Sequence, residues 1–341
     1  MAGVSEGTVD RILHGRPNVS ANALAKVNEV MKKIHYKPNL IARSLGHGKN
    51  HRIAVIISEP TVEPYWKEVQ SGVSKALAEW DHYNISIDTY YYVHGGKLSF
   101  ENVAEEALKS IPDGVVLAPI YYQQALPVLT ELDNKKIPYI LFNTNIPESK
   151  ALSFIGQDLF QSGMLAGQLM SFGYEKNERL FILHIGDDVE DSVYLQEKER
   201  GFREFYKKNT HHHYSIESLS LDHTKNSFRS QIEILIQDEN TKGIFVTTTR
   251  VVSTIAEVLI KSNRHDVRLI VYDLMDDYLK YLKMGVIHFI INQNPKGQVF
   301  LGISNMANHL LFKKKVPATE LFPLEIITQQ NVDTYITSDI H

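Results

Sequence analysis

The stretch AVIISEPTVEPYWKEVQSGV, residues 54–73, decides the architecture. It opens inside RIAVIIS (52–58), a continuous apolar run of strand length. Such a run suits a strand covered on both faces rather than one. A proline-bounded turn, SEPTVEP (58–64), follows, and from Tyr65 to Trp80 the apolar residues recur at helical spacing. A doubly buried strand feeding an amphipathic helix is the repeating unit of a parallel sheet, because parallel neighbours need a crossover to return the chain.

Outward from this stretch the unit repeats. Strand-like runs occur at ISIDTYYYV (85–93), GVVLAPI (114–120), PYILFN (138–143), LFILHIG (180–186), HYSIESLSL (213–221), GIFVTTT (243–249), RLIVYDL (268–274), HFIINQ (288–293) and PLEIIT (323–328). Helical patterns lie between most of them, including Leu159–Phe172, Ser192–Lys208, Val251–Lys261 and Gln298–Lys313. The fold class is therefore α/β, with two doubly wound parallel sheets, and function is expected in the loops after the strands. The turn SEPTVEP holds no G-x-G-x-x-G, and neither a P-loop nor a G-x-S-x-G motif occurs in the chain. Dinucleotide, nucleotide-phosphate and serine-hydrolase chemistry lose their usual carriers, and no catalytic residue is assigned.

Toward the amino terminus the character changes. Residues 1–46 hold three short helical patterns, Thr8–His14, Ala21–Ile34 and Leu40–Leu45, and no strand. GHGKN (46–50) reads as a linker, with two glycines and three polar residues between helix and strand. With 341 residues, 43% of them hydrophobic, the chain exceeds one ordinary core, which fits this division. Net charge is −4, but residues 1–50 carry eight Lys or Arg against three Asp or Glu, leaving 28 against 37 in the remainder. A basic head on an acidic body is the charge layout of a nucleic-acid reader joined to another module. There are no cysteines, so disulfides and thiolate-based metal sites are excluded. No apolar run of about 18 residues and no secretion signal stand out, and a cytoplasmic location without membrane partners is expected. HHH (211–213) reads as a solvated loop, and neither metal nor cofactor is assigned.

Within the head, Ser5 is placed to cap a helix that starts at Glu6. Val9, Ile12 and Leu13 share the inward face, leaving Glu6, Gly7, Asp10, Arg11 and His14 outward. If this helix enters a major groove, Arg11 is the candidate base reader, since guanidinium pairs with two acceptors of guanine. Ser5 and Thr8 suit phosphate contacts. Taken alone, the same pattern also describes an ordinary charged surface helix.

The landmarks together say more. AGVS (2–5), TVDRIL (8–13), VSANALAKV (19–27), HYKPN (35–39) and ARSL (42–45) resemble, in order and spacing, the DNA-binding head of the LacI/GalR family of bacterial transcription regulators. The resemblance implies a helix-turn-helix over 1–46 whose last segment is a hinge helix ordered on operator DNA. Leu45, with Ala42 beside it, takes the position that wedges into the minor groove and kinks the duplex. Glu6, Gly7 and Asp10 depart from common family choices, and two acidic side chains facing DNA weaken contact with phosphate. In the family a full helix precedes AGVS, whereas Met1 stands where that helix would end. The resemblance thus predicts that this chain binds operator poorly and that about 15–20 further residues upstream would restore binding.

The body resembles the family's two-lobed periplasmic-binding-protein-like (type I) effector domain through GVVLAP (114–119), IPYILFNTNIP (137–147), FIGQDLFQSGMLAGQLM (154–170), GIFVTTTRVVSTIAEVL (243–259), LIVYDL (269–274) and IINQNPKGQ (290–298). The last places it nearest the ribose-type sugar-binding branch. The resemblance implies a linker at 47–50 and an effector domain over 51–341, with one lobe from about 51–157 and 291–320 and the other from about 158–288 and 323–341. Its position-by-position reading gives a ligand set of Glu63, Tyr65, Trp66, Asn143, Asp158, Lys198, Thr248, Asp273 and Gln293, closing on a sugar or sugar derivative. Rings at Tyr65 and Trp66 would stack on a pyranose, and carboxylates would accept its hydroxyls. Asp158 and Asp273 also suit helix capping, and Lys198 replaces a frequent arginine while losing the bidentate fork. A homodimer, pairing through the first lobe's Tyr65–Trp80 helix, is expected to read a pseudo-palindromic operator. The implied function is an allosteric transcription regulator acting as a repressor, with induction and corepression both open; a solute-binding protein without DNA binding is the alternative.

Overall fold

The computed structural model describes residues 2–13, 17, 19–33, 50–61, 63–93, 96–173, 178–186, 189–209 and 214–337. Two units separate at Lys49 and Asn50. The first contains α1 (Glu6–Leu13) and α2 (Ala21–Lys33). Ser20 starts α2, its hydroxyl accepting the Ala23 N–H at 3.3 Å, and Ala23 and Val27 are buried on one face. Ala42, Leu45 and the His211–His213 run lie outside the described residues, as does most of the 46–50 linker.

The second unit holds two six-stranded sheets. The first contains β1 (His51–Ser58), β2 (Ile85–Tyr92), β3 (Gly114–Leu117), β4 (Tyr139–Phe142), β5 (Ser153–Gly156) and β11 (Thr319–Leu321), in the order β11-β5-β4-β3-β1-β2. The other contains β6 (Arg179–Ile185), β7 (Ser215–Leu221), β8 (Thr241–Val246), β9 (Arg268–Tyr272), β10 (Ile287–Asn292) and β12 (Glu325–Ile327), in the order β12-β10-β9-β8-β6-β7. Inner strands are buried along nearly their whole length, as β1, β3, β4 and β6 are. Outer strands β2 and β7 are only half-covered and carry the more polar sequences ISIDTYYY and SIESLSL. That difference follows from position, since a central parallel strand has helices on both faces and an edge strand faces solvent.

The crossover helices are α3 (Pro64–Trp80), α4 (Lys97–Lys109), α5 (Tyr122–Lys135), α6 (Leu159–Ser171), α7 (Val193–Lys208), α8 (Phe228–Gln237), α9 (Val252–Lys261), α10 (Asp276–Lys283) and α11 (Pro295–Phe312), with α12 (Val332–Thr337) near the end. Both sheets are doubly wound, as the strand–helix alternation predicts. One pairing departs from it: β12, at the edge of the second sheet, runs antiparallel to β10. Three segments cross between the lobes, after β5, after β10 and after β11. Gln157 ties them together, its amide donating to Asn292 O at 2.8 Å and Pro323 O at 2.7 Å. Facing strand ends therefore meet across a cleft, where a doubly wound sheet offers its ligand site.

Candidate functional site

Loops at the carboxyl ends of the strands build one cavity between the lobes. After β1, Glu63 adopts extended backbone before α3 and makes no capping bond with its side chain. Its carboxylate instead reaches the opposite lobe, where Thr249 Oγ1 donates to Oε1 at 2.9 Å and Arg250 Nη2 to Oε2 at 3.1 Å. Both members of this ion pair are more than nine-tenths buried. A second arginine nitrogen donates to Ile185 O at 3.0 Å, anchoring the guanidinium in its own lobe. Glu63 and Arg250 thus join the two lobes through a buried charge pair.

The first lobe contributes aromatic faces beside an amide. Asn143, just beyond β4, sits at φ 66°. Asn and Asp tolerate this left-handed region because short polar side chains satisfy the local backbone. Asn143 Nδ2 donates to Tyr65 Oη at 2.7 Å, while Asn143 N donates to Gln298 Oε1 at 3.1 Å. Burial, with the negative charge of Asp273 nearby, pushes the Tyr65 phenol well above its ordinary range. Tyr65 and Trp66 pack edge to face at 5.0 Å.

From the second lobe, α7 delivers Lys198, which is 2% exposed. Its ammonium donates to Thr247 O at 3.1 Å and lies 3.5 Å from the Tyr272 ring centroid. Desolvation of that ammonium is offset by the carbonyl dipole and the negative face of the ring. Behind it, Asp273 takes φ 55° at the end of β9 and accepts from Gln293 N at 2.7 Å and Gln293 Nε2 at 2.6 Å. Burial raises the Asp273 carboxyl to about 6, although Gln293 and Lys198 oppose the shift.

The cavity, about 30 Å³ in volume, is lined by Glu63, Tyr65, Trp66, Asn143, Lys198, Thr248 and Gln293, together with Ile120, Tyr194, Thr247, Thr249 and Tyr272. Seven of the nine residues assigned from sequence are thus brought together. Asp273 stands behind the wall, holding Gln293. Asp158 stands outside this lining: its carboxylate accepts Gln161 N at 2.9 Å, caps α6 and lines a separate pocket with Phe154, Leu159 and Glu197. The helix N-terminus offers it unpaired N–H groups closer than the cavity does. The reading from sequence did not assign Tyr194, Tyr272, Thr249 or Arg250. Tyr194 stands one helical turn before Lys198, a spacing that puts both on one face. Arg250, the single charge in IFVTTTRVVSTIA (244–256), also left a trace.

In the head, Ser5 Oγ accepts the Thr8 N–H at 3.3 Å and bonds Thr8 Oγ1 at 2.8 Å, capping α1. Ser5, Glu6, Gly7 and Arg11 are exposed, whereas Thr8 and Asp10 are half-buried. Among the described residues no three His, Asp or Glu side chains are grouped to hold a metal ion, and no helix is long and apolar enough to cross a membrane.

Known proteins resemble both units. Residues 53–314 match the family described as periplasmic binding protein domain, and residues 1–39 match the bacterial regulatory proteins of the lacI family. The transcriptional regulator MalR of Staphylococcus xylosus is 23% identical over 60% of this chain and 65% of its own. Catabolite control protein A of Staphylococcus aureus is 26% identical over 53% of this chain and 56% of its own. The matches thus span less than two thirds of either relative's length. A crystal structure from Bacteroides fragilis, assigned as a LacI transcriptional regulator, superposes with a TM-score of 0.76 at 27% identity, covering 84% of this chain and all of that one.

Proposed function

Because this chain belongs to the periplasmic binding protein domain family and carries a lacI-family regulatory head, we propose that it is a DNA-binding transcription regulator controlled by a small sugar-like effector. The observation that carries this reading is the cavity between the lobes. Four aromatic side chains, two amides, a carboxylate, hydroxyls and one ammonium line it, a composition suited to a compact polyhydroxylated molecule. Glu63, Tyr65, Trp66, Asn143, Lys198, Thr248 and Gln293 touch the effector in this reading, and Asp273 positions Gln293.

In the head, Arg11 reads a base edge and Ser5 and Thr8 meet phosphates, with Glu6 and Gly7 beside them. Ala42 and Leu45 belong to the hinge segment that opens the minor groove. A homodimer presents two heads to a pseudo-palindromic operator in the cytoplasm, and the effector acts by binding the operator-competent and incompetent states unequally. Repression is the proposed output.

A thermal-shift screen of sugars, sugar alcohols and sugar acids tests the cavity, since a ligand that binds only the folded state raises its melting temperature. Selection from a randomised duplex library tests the head. A two-fold symmetric sequence whose retention changes with the sugar is the expected outcome. A sugar-induced shift without selection of any sequence would favour a solute-binding protein. The absence of any sugar-induced shift would overturn the effector assignment.

A further inference from the structure

The cleft is closed, and the cavity it encloses is small. A volume of about 30 Å³ admits a water molecule, whereas pockets that take small molecules run from about 300 Å³ upward. A sugar therefore enters only when the lobes part, and whatever holds them together decides how often they do.

Two carboxylates cross the cleft, in opposite directions. Glu63 runs from the first lobe to Thr249 and Arg250 of the second, and it also lines the cavity. Asp191 runs the other way and stands outside that lining. It ends a short 3-10 turn, Val189–Asp191, that follows β6 in the second lobe. Gln196 of α7 braces this turn from within the lobe, its amide donating to Val189 O at 2.8 Å and to Glu190 O at 2.9 Å. In the first lobe the Asp191 carboxylate meets the starts of two helices. Oδ2 lies 2.7 Å from Nζ of Lys97, which opens α4, and Oδ1 accepts from Gln123 N at 3.3 Å in the first turn of α5.

The second of these contacts completes a helix that does not cap itself. The N-cap position of α5 is Tyr121, whose side chain makes no capping bond, so the first N–H groups of the helix need an acceptor from elsewhere. A carboxylate suits that end of the helix dipole. The contact also borders the cavity, since Ile120 and Tyr194, close in sequence to Gln123 and Asp191, are in its lining. Lys97 remains 40% exposed, so water competes for its ammonium and the contact can be released.

Resting on the reading of the cavity as the effector site, we propose that Asp191 is a latch that holds the cleft closed in the absence of effector and limits entry to the cavity. Recognition and closure are then divided between the two crossing carboxylates, with Glu63 serving both and Asp191 serving closure alone.

Both halves of the proposal are tested on the full chain without an effector. The chain contains no cysteine, so spin labels on cysteines introduced at Asn102 in α4 and Asn226 ahead of α8, both exposed, report the distance between the lobes. The parent should give one population, and Asp191→Ala should send about a tenth or more of the chains to longer distances. Lys97→Met leaves the turn intact and should act in the same direction with a smaller effect, so a misfolded Asp191 variant leaves the test decisive. Entry is read from acrylamide quenching of Trp66, a lining residue that Trp80→Phe leaves as the single tryptophan. Quenching should rise about twofold or more in Asp191→Ala, in step with the open population. Distances unchanged by either substitution would assign closure to Glu63 and Arg250 and overturn the latch, whatever the quenching does. Longer distances without stronger quenching would overturn its control of entry. The sugar screen answers separately whether the cavity is the effector site, and its failure would remove that reading while leaving the measured distances to decide the latch.

Discussion

Single residues carry the closure of the cleft. Arg250 and Glu63 are charges from opposite lobes, both removed from water, and each compensates the other. Removing one member strands its partner, which commonly costs more than the pair contributes. Arg250→Met is therefore expected to lower unfolding free energy by about 3 kcal/mol or more in chemical denaturation, and Glu63→Gln in the same chain to restore most of the loss. Equal destabilisation by the double and single variants would show that the pair is not coupled. Asp273 gives a prediction in pH. Its carboxyl rises from 3.8 to about 6, chiefly by burial, so the folded chain holds a proton that the unfolded chain releases. Its contribution to stability is thus greatest below about pH 4 and falls as pH climbs to about 6. Asp273→Asn removes this term, so the variant should gain melting temperature relative to the parent from pH 4 to 6 and hold that gap above it. A gap that stays level across the interval would contradict the assignment. These residues differ in how far sequence exposes them. Asn143, Asp273 and Gln293 end strands, where a doubly wound sheet places its ligands, and were readable for that reason. The bond between Glu63 and Arg250 joins positions 187 apart and leaves no local pattern. Asp158 also followed a strand, yet its own helix terminus claimed it.

At the scale of elements, Lys198 reaches the cavity because α6 and α7 pack with almost no space between them. A Cβ added at Gly163 would fall 2.0 Å from Lys198 O, and one at Gly201 would fall 2.0 Å from Phe160 O. Each helix thus presents a glycine to the other's backbone, and the obstacle is main chain that no rotamer change can clear. Gly201→Ala is expected to separate the helices, lower stability by about 1–3 kcal/mol and shift Lys198 away from Tyr272. The measurement is a paired one: denaturant midpoint and effector affinity should both fall. A variant that loses stability but keeps full affinity would show that the helix pair does not position the lysine. The helices themselves were legible from apolar periodicity, but their closeness was not, since glycine in a helix reads only as a weak helix former. Strand β11 was missed for a related reason: it spans three residues at a sheet edge with an exposed–half-buried–exposed pattern, too short to show a period.

For the whole molecule, the question is what the division at Lys49 and Asn50 permits. The charges divide in the same place, with an excess of five positive in residues 1–50 and nine negative beyond. The body has its own sheets, core and cavity, so residues 50–341 are expected to fold without the head and to bind the effector with a dissociation constant within about twofold of the full chain. DNA retention should be lost in that fragment, and in the full chain it should weaken steeply with salt, as contacts to phosphate do. Regulation adds a stronger requirement. If the effector changes DNA affinity by some factor, DNA must change effector affinity by the same factor, because the two equilibria share one cycle. Titrating the effector into the full chain with and without saturating DNA should therefore reproduce the factor found when DNA is titrated with and without effector. In the 50–341 fragment, added DNA should leave effector affinity unchanged. A DNA effect that persists in the fragment would place the coupling outside the head, and its absence from the DNA-bound full chain would leave two binding units sharing a chain without regulation between them.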